Sequence, residues 1–463
     1  MRTTVLLIFA VFLSIAGKAQ FAFEKIITKG SLETAWSVIQ TTDGGYAFLG
    51  TIVSPPAYDI WLVKTNYMGD TTFTKTFRGI GTNDTGDRSL VQSSDGGYTF
   101  FANRNGKTDL FHTSSTGDSL WEKELCNGVG KALSQSSDLG YTVSAADSIW
   151  SLLRVVHAGP SGDVVWLRTY HMFPQNTGHS CYSWSVRETP DHGFIVAGAL
   201  IDAYSVSHPF MLRTGPTGDS LWYREFNYSW MLDATFYSAD TAGNNGYIAC
   251  GLLGTPNQNA FVMRFNAEGD TLWTRVLYAS GFQYFNSIRT TADGGAIACG
   301  SYSDPYPRDS SRLYLVKFTS SGDISWEKRM GNYHNSYGLS VESTNDHGYI
   351  ICGEVEQLTT SDHHGLLIKT DNNGNITGTA DDPPQFQARI YPNPLKDRLN
   401  IEISNKNCQF CLFDQMGRPV LEKRIAAYVE SIDVTALSTG LYFYKISQNG
   451  TVIGSGTLMK SGE

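Results

Sequence analysis

Short apolar runs alternate with glycine-bearing polar turns along this chain, and the alternation recurs about every fifty residues. In the first period the apolar runs are 35–41, 46–52, 59–66 and 71–77. They are short and rich in β-branched and aromatic residues, with no 3.6-residue spacing, so each predicts a strand. Two tight turns punctuate every period. One is Asp43-Gly44-Gly45-Tyr46, with variants beginning at Asp95, Asp138, Asp191, Asn244, Asp293 and Asp346. The other is Gly-Asp with an aromatic four residues after the Gly. It occurs as Gly69 with Phe73, Gly117 with Trp121, Gly162 with Trp166, Gly218 with Trp222, Gly269 with Trp273 and Gly322 with Trp326. Glycine supplies the positive φ that such turns require.

Four strands and two tight turns per period describe a propeller blade, and seven periods predict an all-β, seven-bladed β-propeller over residues 20–379. The last period reaches Gly374-Asn375 and then lacks a fourth strand. The segment Phe23-Glu24-Lys25-Ile26-Ile27 matches the fourth strand Trp326-Glu327-Lys328-Arg329-Met330. The expectation is that the N-terminal strand completes the seventh blade, closing the ring and hiding a sheet edge. The spacing from Thr116-Gly117 to Trp121 resembles the docking motif of quinoprotein (PQQ-like) propellers. That resemblance implies a fold in which each Trp packs between neighbouring blades. The quinone and metal ligands of that family are not recognisable here, so no cofactor and no metal are expected.

Both ends break the repeat. Arg2 precedes an apolar run, Val5 to Ala16, and Gly17-Lys18-Ala19 offers small residues before a cut at Gln20. Residues 1–19 therefore predict a signal peptide, too short in its apolar part to span a bilayer. No later segment is long and apolar enough to do so. Asp381 to Gln385 is an acidic, Pro-bearing stretch, and residues 380–388 predict a linker.

Residues 389–463 read as alternating strands with glycine turns, predicting a small Ig-like β-sandwich. Its marks are Tyr391-Pro392-Asn393-Pro394, the turn Asp414 to Gly417-Arg418, the strand opening Gly440-Leu441-Tyr442, and Lys460 near the end. Together they resemble the type A C-terminal sorting domain of type IX (Por) secretion cargo. The resemblance implies recognition of 389–463 by the type IX machinery, and then release or attachment at the outer cell surface.

The formal charge is −9, and both ends are net basic, so the acidity concentrates in the body. An acidic body repels phosphate backbones and argues against nucleic-acid binding. Cys250, Cys299 and Cys352 occupy one repeat position and read as core fillers too far apart to bond. Cys408 and Cys411 lie three apart on a strand and would face opposite sides.

No linear catalytic signature occurs. The Asp-Gly-Gly turns differ from a sialidase Asp-box in their aromatic spacing, and their Asp residues read as turn caps. His192 and His347 stand in those turns, His171 and His179 flank a long loop, and the pair His363-His364 reads as sitting in another. In a four-stranded blade, the blade connections and the loop between strands two and three share one face, here called the connection face. Both tight turns lie on the other, the turn face. The connection face is variable and aromatic, carrying Tyr228, Trp230, Tyr278, Phe282, Tyr284, Tyr306, Tyr333 and Tyr337. These residues are the expected ligand surface of an exported binding module for a glycan or a protein. A secreted hydrolase or lyase at the channel mouth stays open beside it, because propeller enzymes gather acids from several blades. So does a purely structural envelope component.

Overall fold

The β-branched and aromatic runs form strands because alternate residues are buried on two packed faces while the glycine turns reverse the chain. A computed structural model describes residues 22–376 and 388–461 except 31, 55–56, 82–88, 148–151, 173–179, 229–230, 232, 244–245, 255–257, 279–280, 304–310, 332–334, 357–361, 392–393, 404–407, 427–428 and 449–450. The expected signal peptide and most of the expected linker lie outside the described residues. Among the described residues every regular element is a strand, and no helix is long and apolar enough to cross a membrane. The chain divides into two compact units, Met1–Thr379 and Ala380–Glu463.

Among the described residues of the first unit, five antiparallel four-stranded sheets are followed by an eight-stranded one, whose two four-stranded halves, counted below as sheets six and seven, are joined by a single parallel bridge from Ser311 to Asn335. Their first strands are Glu33–Gln40, Val91–Gln92, Val129–Gln135, Ser180–Glu188, Ala234–Ala242, Phe282–Thr290 and Asn335–Ser343. Six sheets take all four strands in chain order. The seventh takes Asn335–Ser343, Tyr349–Glu356 and His363–Thr370, and its fourth strand is Phe23–Ile27 from the other end of the unit. The register runs from Phe23 opposite Lys369 to Ile27 opposite Gly365, antiparallel throughout.

Neighbouring sheets interlock at one repeated contact. The fourth-strand aromatic of each sheet rests on the Gly-Asp glycine of the next. A Cβ built on Gly269 would stand 2.8 Å from the Trp222 ring, and its φ of 81° is one that only glycine adopts without strain. Phe73, Trp121, Trp166, Trp273 and Trp326 meet Gly117, Gly162, Gly218, Gly322 and Gly374 in the same way. The last member joins the ends: Phe23, on the fourth strand of sheet seven, covers Gly69 of sheet one, and a Cβ there would approach it to 2.5 Å. Two residues beyond each aromatic a basic side chain reaches the neighbouring turn, as in Lys25–Asp70 at 2.9 Å, Lys123–Asp163 at 2.8 Å and Arg275–Asp323 at 2.8 Å. These pairs are exposed and worth about 0–1 kcal/mol each, so the aromatic packing dominates.

The Asp-Gly-Gly turns are held by a second repeated device. Asp43 Oδ1 accepts from the Gly45 amide at 3.0 Å, and Lys64, buried on the third strand, reaches the same carboxylate at 2.8 Å. Lys317 and Asp293, His112 and Asp95, and His157 and Asp138 repeat the pairing at 2.7, 2.9 and 2.9 Å. The aspartates are therefore turn caps with a buried basic partner. His192 and His347 adopt φ of 64° and 66° in these turns, in place of the usual glycine.

Burial raises the carboxyls of Asp43 and Asp293, but the lysine, a threonine hydroxyl and a backbone amide outweigh it and hold both at about 2. Because these folded-state values lie below the unfolded value, the stabilisation is present above about pH 4 and is lost as pH falls toward 2. Urea midpoints should drop across that window. The Asp43→Asn, Asp293→Asn double variant should show a shallower drop, and parallel curves would contradict the assignment.

None of the seven cysteines is in a disulfide; Cys250, Cys299 and Cys352 are fully buried at equivalent positions. In the second unit, Ala388–Tyr391, Arg398–Ile403 and Val429–Asp433 form one sheet. Cys408–Phe413, Pro419–Ile425, Gly440–Gln448 and Thr451–Lys460 form another. Leu399, Ile401, Phe410, Leu412, Ile425 and Ile446 share a core between them.

Candidate functional site

The first strands of the seven sheets are the innermost ones. Those of sheets three to seven and one lie against one another in succession. Between sheets one and two, the Thr42 amide donates to Gln92 Oε1 at 2.8 Å and the Leu90 amide to Ser37 Oγ at 3.3 Å. Counted back from the first residue of the Asp-Gly-Gly turn, three positions on the longer first strands are mostly half-buried, the two farther from the turn between buried neighbours. They build three tiers along the row of first strands.

The middle tier stands seven residues before the turn: Trp36, Lys131, Trp184, Tyr237, Asn286 and Leu339. Each sits at a β-bulge, where one extra residue on the first strand is left out of the ladder. Bulges re-aim side chains, and here the same device recurs on six strands. The Lys131 ammonium lies 5.2 Å from the centre of a Trp184 ring, and Trp184 meets Tyr237 edge-on with centroids 6.0 Å apart.

The tier nearest the connection face holds Thr34, Tyr182, Thr235, Tyr284 and Tyr337. Tyr182 stacks on Trp184 at 5.9 Å. Thr34 donates to Glu354 Oε2 at 2.6 Å, and His363 Nδ1 stands 3.1 Å from Glu354 Oε1. Burial pushes the Tyr284 phenol well up, reinforced by Tyr337 and Glu354. Tyr337 is likewise raised by burial, with Glu354 and Glu356 adding to it. His363 is raised by its bond to Glu354. Glu354 is thus shared by a threonine, a histidine and two tyrosines at this end of the strands.

The tier nearest the turn face holds Ile39, Val91, Ser134, Arg187, Asp240, Arg289 and Glu342. Charges of alternating sign thus stand on four consecutive sheets. Arg289 Nε donates to Glu342 at 2.6 Å, Arg187 lies 3.8 Å from the same carboxylate, and Asp240 accepts from the Thr290 amide at 2.8 Å. A cavity of about 380 Å³ opens here, lined by Ile39, Val91, Arg187, Arg289 and Glu342 among others. This tier is ion-paired and the opposite tier is aromatic, so the two ends of the first strands differ in chemistry. Among the described residues no group of three or more His, Cys, Asp or Glu could hold a metal ion.

The aromatics named from sequence divide four ways. Tyr284 and Tyr337 stand on first strands, in the tier nearest the connection face, rather than in loops. Tyr228 and Tyr278 are exposed outside it; Tyr278 is 79% exposed at a groove of about 340 Å³ with Arg275, Tyr302, Tyr314, Glu327 and Arg329. Phe282 is half-buried at the start of its strand. Trp230, Tyr306 and Tyr333, like His179, lie outside the described residues. Trp36, Tyr182, Trp184 and Tyr237 were not among the residues named. The signal that finds them is register: aligned on the turn, their positions vary while their neighbours stay small or apolar.

In the tail, Asp414 Oδ1 accepts from the Met416 and Arg418 amides at 2.9 Å each, and Arg418 returns to its carboxylate at 2.8 Å across a turn whose Gly417 has φ of 74°. The Tyr442 hydroxyl donates to the Ser438 carbonyl at 2.8 Å, and Lys460 donates to the Lys396 carbonyl. Gly440 opens its strand and Leu441 follows in it, while Tyr391 ends its own; Pro394 is exposed, and Pro392 and Asn393 lie outside the described residues.

Residues 389–457 match the model of the secretion system C-terminal sorting domain. The tail marks the chain as type IX secretion cargo, exported and either released or held at the cell surface. No curated protein matches the sequence. Among solved structures, the chain is similar to PorZ, an essential bacterial surface component of the type IX secretion system of Porphyromonas gingivalis. The identity is 11% and the TM-score 0.37, over 90% of this chain and 68% of that one. It is similar also to the dihydro-heme d1 dehydrogenase NirN, at 13% identity and a TM-score of 0.40, over 88% and 75%. A third is Sqt1 from Chaetomium thermophilum, at 11% and 0.44, over 71% and 83%. At such identities and scores these likenesses carry no argument about function.

Proposed function

We propose that this chain is an exported, seven-bladed β-propeller that binds an extracellular glycan or protein through the connection-face mouth of its channel. In this reading residues 1–19 are a removed signal peptide, 20–379 the propeller, 380–388 a linker and 389–463 an Ig-like sorting domain that the type IX machinery reads. The ring is supported by the aromatic-on-glycine contact, which recurs between successive sheets and ends with Phe23 on Gly69. The same contact is the packing expected from the quinoprotein-like docking motif.

One observation carries the binding role: Trp36, Trp184 and Tyr237 of the middle tier and Tyr182, Tyr284 and Tyr337 of the tier beside it come from sheets four to seven and one, whose first strands pack in succession. Fixed on strands, they lose little side-chain entropy on binding, and pockets of this kind are aromatic with a few placed polar groups. Surface plasmon resonance against extracellular polysaccharides and outer-surface proteins tests it. Trp184→Ala with Tyr237→Ala should weaken whatever ligand binds by about a hundredfold, since each ring contributes about 1–1.5 kcal/mol. The thermal midpoint should hardly move, because both side chains are only half-buried. Unchanged affinity would remove the channel from the binding reading.

A further inference from the structure

The connection-face mouth carries a second pattern, and the inference drawn from it rests on the binding role proposed above. Its walls are aromatic, and the described carboxylates at its rim, Glu354, Glu356 and Asp362, outnumber the one histidine beside them, His363. Glu354 sits between Thr34 and His363 and acts electrostatically on both Tyr284 and Tyr337. Glu356 acts on Tyr337, and Asp362 acts on His363. Of the described cationic groups, Lys131 lies against Trp184 in the middle tier, His363 stands 3.1 Å from Glu354, and the arginines of the far tier are held at Glu342.

We infer that the mouth selects a neutral or amino-bearing oligosaccharide and rejects acidic glycans. A pyranose has apolar C–H faces that suit flat rings and a hydroxyl edge that suits acceptors. Trp184, Tyr237 and Tyr182 offer the rings; the carboxylates of Glu354 and Glu356 offer acceptors beside the hydroxyls of Tyr284 and Tyr337. A uronate or sulfate at that rim would face two carboxylates in a partly desolvated site, where like-charge repulsion is weakly screened. An ammonium group on the sugar would gain from the same field. The set is hydroxyl-reading rather than peptide-reading, because it offers carboxylate and phenol groups where a peptide side chain would need an apolar pocket.

The test uses the full chain without residues 1–19 and three hexasaccharide probes: cellohexaose, the glucosamine hexamer of chitosan, and hexagalacturonate. Isothermal titration near neutral pH should show the neutral and cationic probes binding and the anionic probe at least about tenfold weaker. Glu354→Gln with Glu356→Gln should narrow that gap at least about threefold. In the unaltered chain, raising NaCl from about 50 to about 500 mM should narrow it too, a readout that does not depend on the variant folding. Hexagalacturonate binding as well as cellohexaose overturns the inference, as does a gap that neither salt nor the variant changes. If none of the three probes binds while a protein partner does, and Trp184→Ala with Tyr237→Ala abolishes that partner, the oligosaccharide inference falls and the binding role stands.

Discussion

A chain lacking Phe23–Ile27 should lose at least about 4 kcal/mol of stability, a large share of the 5–15 kcal/mol typical of a folded domain. Phe23 covers Gly69 and meets Tyr46 edge-on at 5.7 Å, while Ile26 and Ile27 pack against the cores of sheets seven and one. At about half the 1.5–3 kcal/mol of a fully buried side chain, these three contribute about 3 kcal/mol. The five-residue ladder with 365–369 adds backbone hydrogen bonds at about 0.5–1.5 kcal/mol each. Deletion also leaves Leu366, Leu367 and Ile368, now fully buried, beside an open sheet edge, which invites edge-to-edge association. Urea unfolding should show the lowered midpoint and light scattering the aggregation. A deletion variant with the parental midpoint would mean the strand closes nothing. Lys25→Ala removes only the exposed pair with Asp70 and should cost less than about 1 kcal/mol.

The second large effect is expected at Glu33. Its side chain is fully buried at the junction of sheets one and seven. One carboxylate oxygen accepts from the amides of Lys29 and Gly30, and the other lies 2.8 Å from His364 Nδ1. The group therefore ties three things together: the bend after the closing strand, the first strand of sheet one and the third strand of sheet seven. Glu33→Ala removes one member of a buried pair and leaves two amides and a histidine without acceptors, at a cost of about 3–5 kcal/mol. Glu33→Gln keeps an acceptor oxygen and should cost less. Calorimetry would show the order; equal midpoints for Glu33→Ala and the parent would contradict this role.

Much of the body was legible because its repeat is made of local chemistry. The Asp-Gly-Gly and Gly-Asp turns need positive φ, the fourth-strand aromatic needs a glycine beside it, and both requirements recur visibly in sequence. Even the closing strand could be matched, since Phe23-Glu24-Lys25 carries the aromatic and the basic residue at the spacing of Trp326-Glu327-Lys328. The candidate site was less legible. Loops rich in tyrosine drew attention to Tyr278, which is exposed beside an outer groove, while Trp184 and Tyr237 stand on strands that read as ordinary core. What separates them is a bulge on each first strand, which leaves a trace only when the repeats are aligned on the turn and not in any one strand alone. Likewise nothing local marks Arg187, Asp240, Arg289 and Glu342 as a set, because they come together only when four sheets are placed side by side.

Amide hydrogen exchange on the mature chain, followed by mass spectrometry of the peptide holding Phe23–Ile27, tests the closed ring most directly. The ring predicts that these amides are protected to the same degree as those of His363–Thr370, their partner strand, and exchange with it in one cooperative opening. Exchange at the rate of a free terminus, with His363–Thr370 still protected, would contradict it.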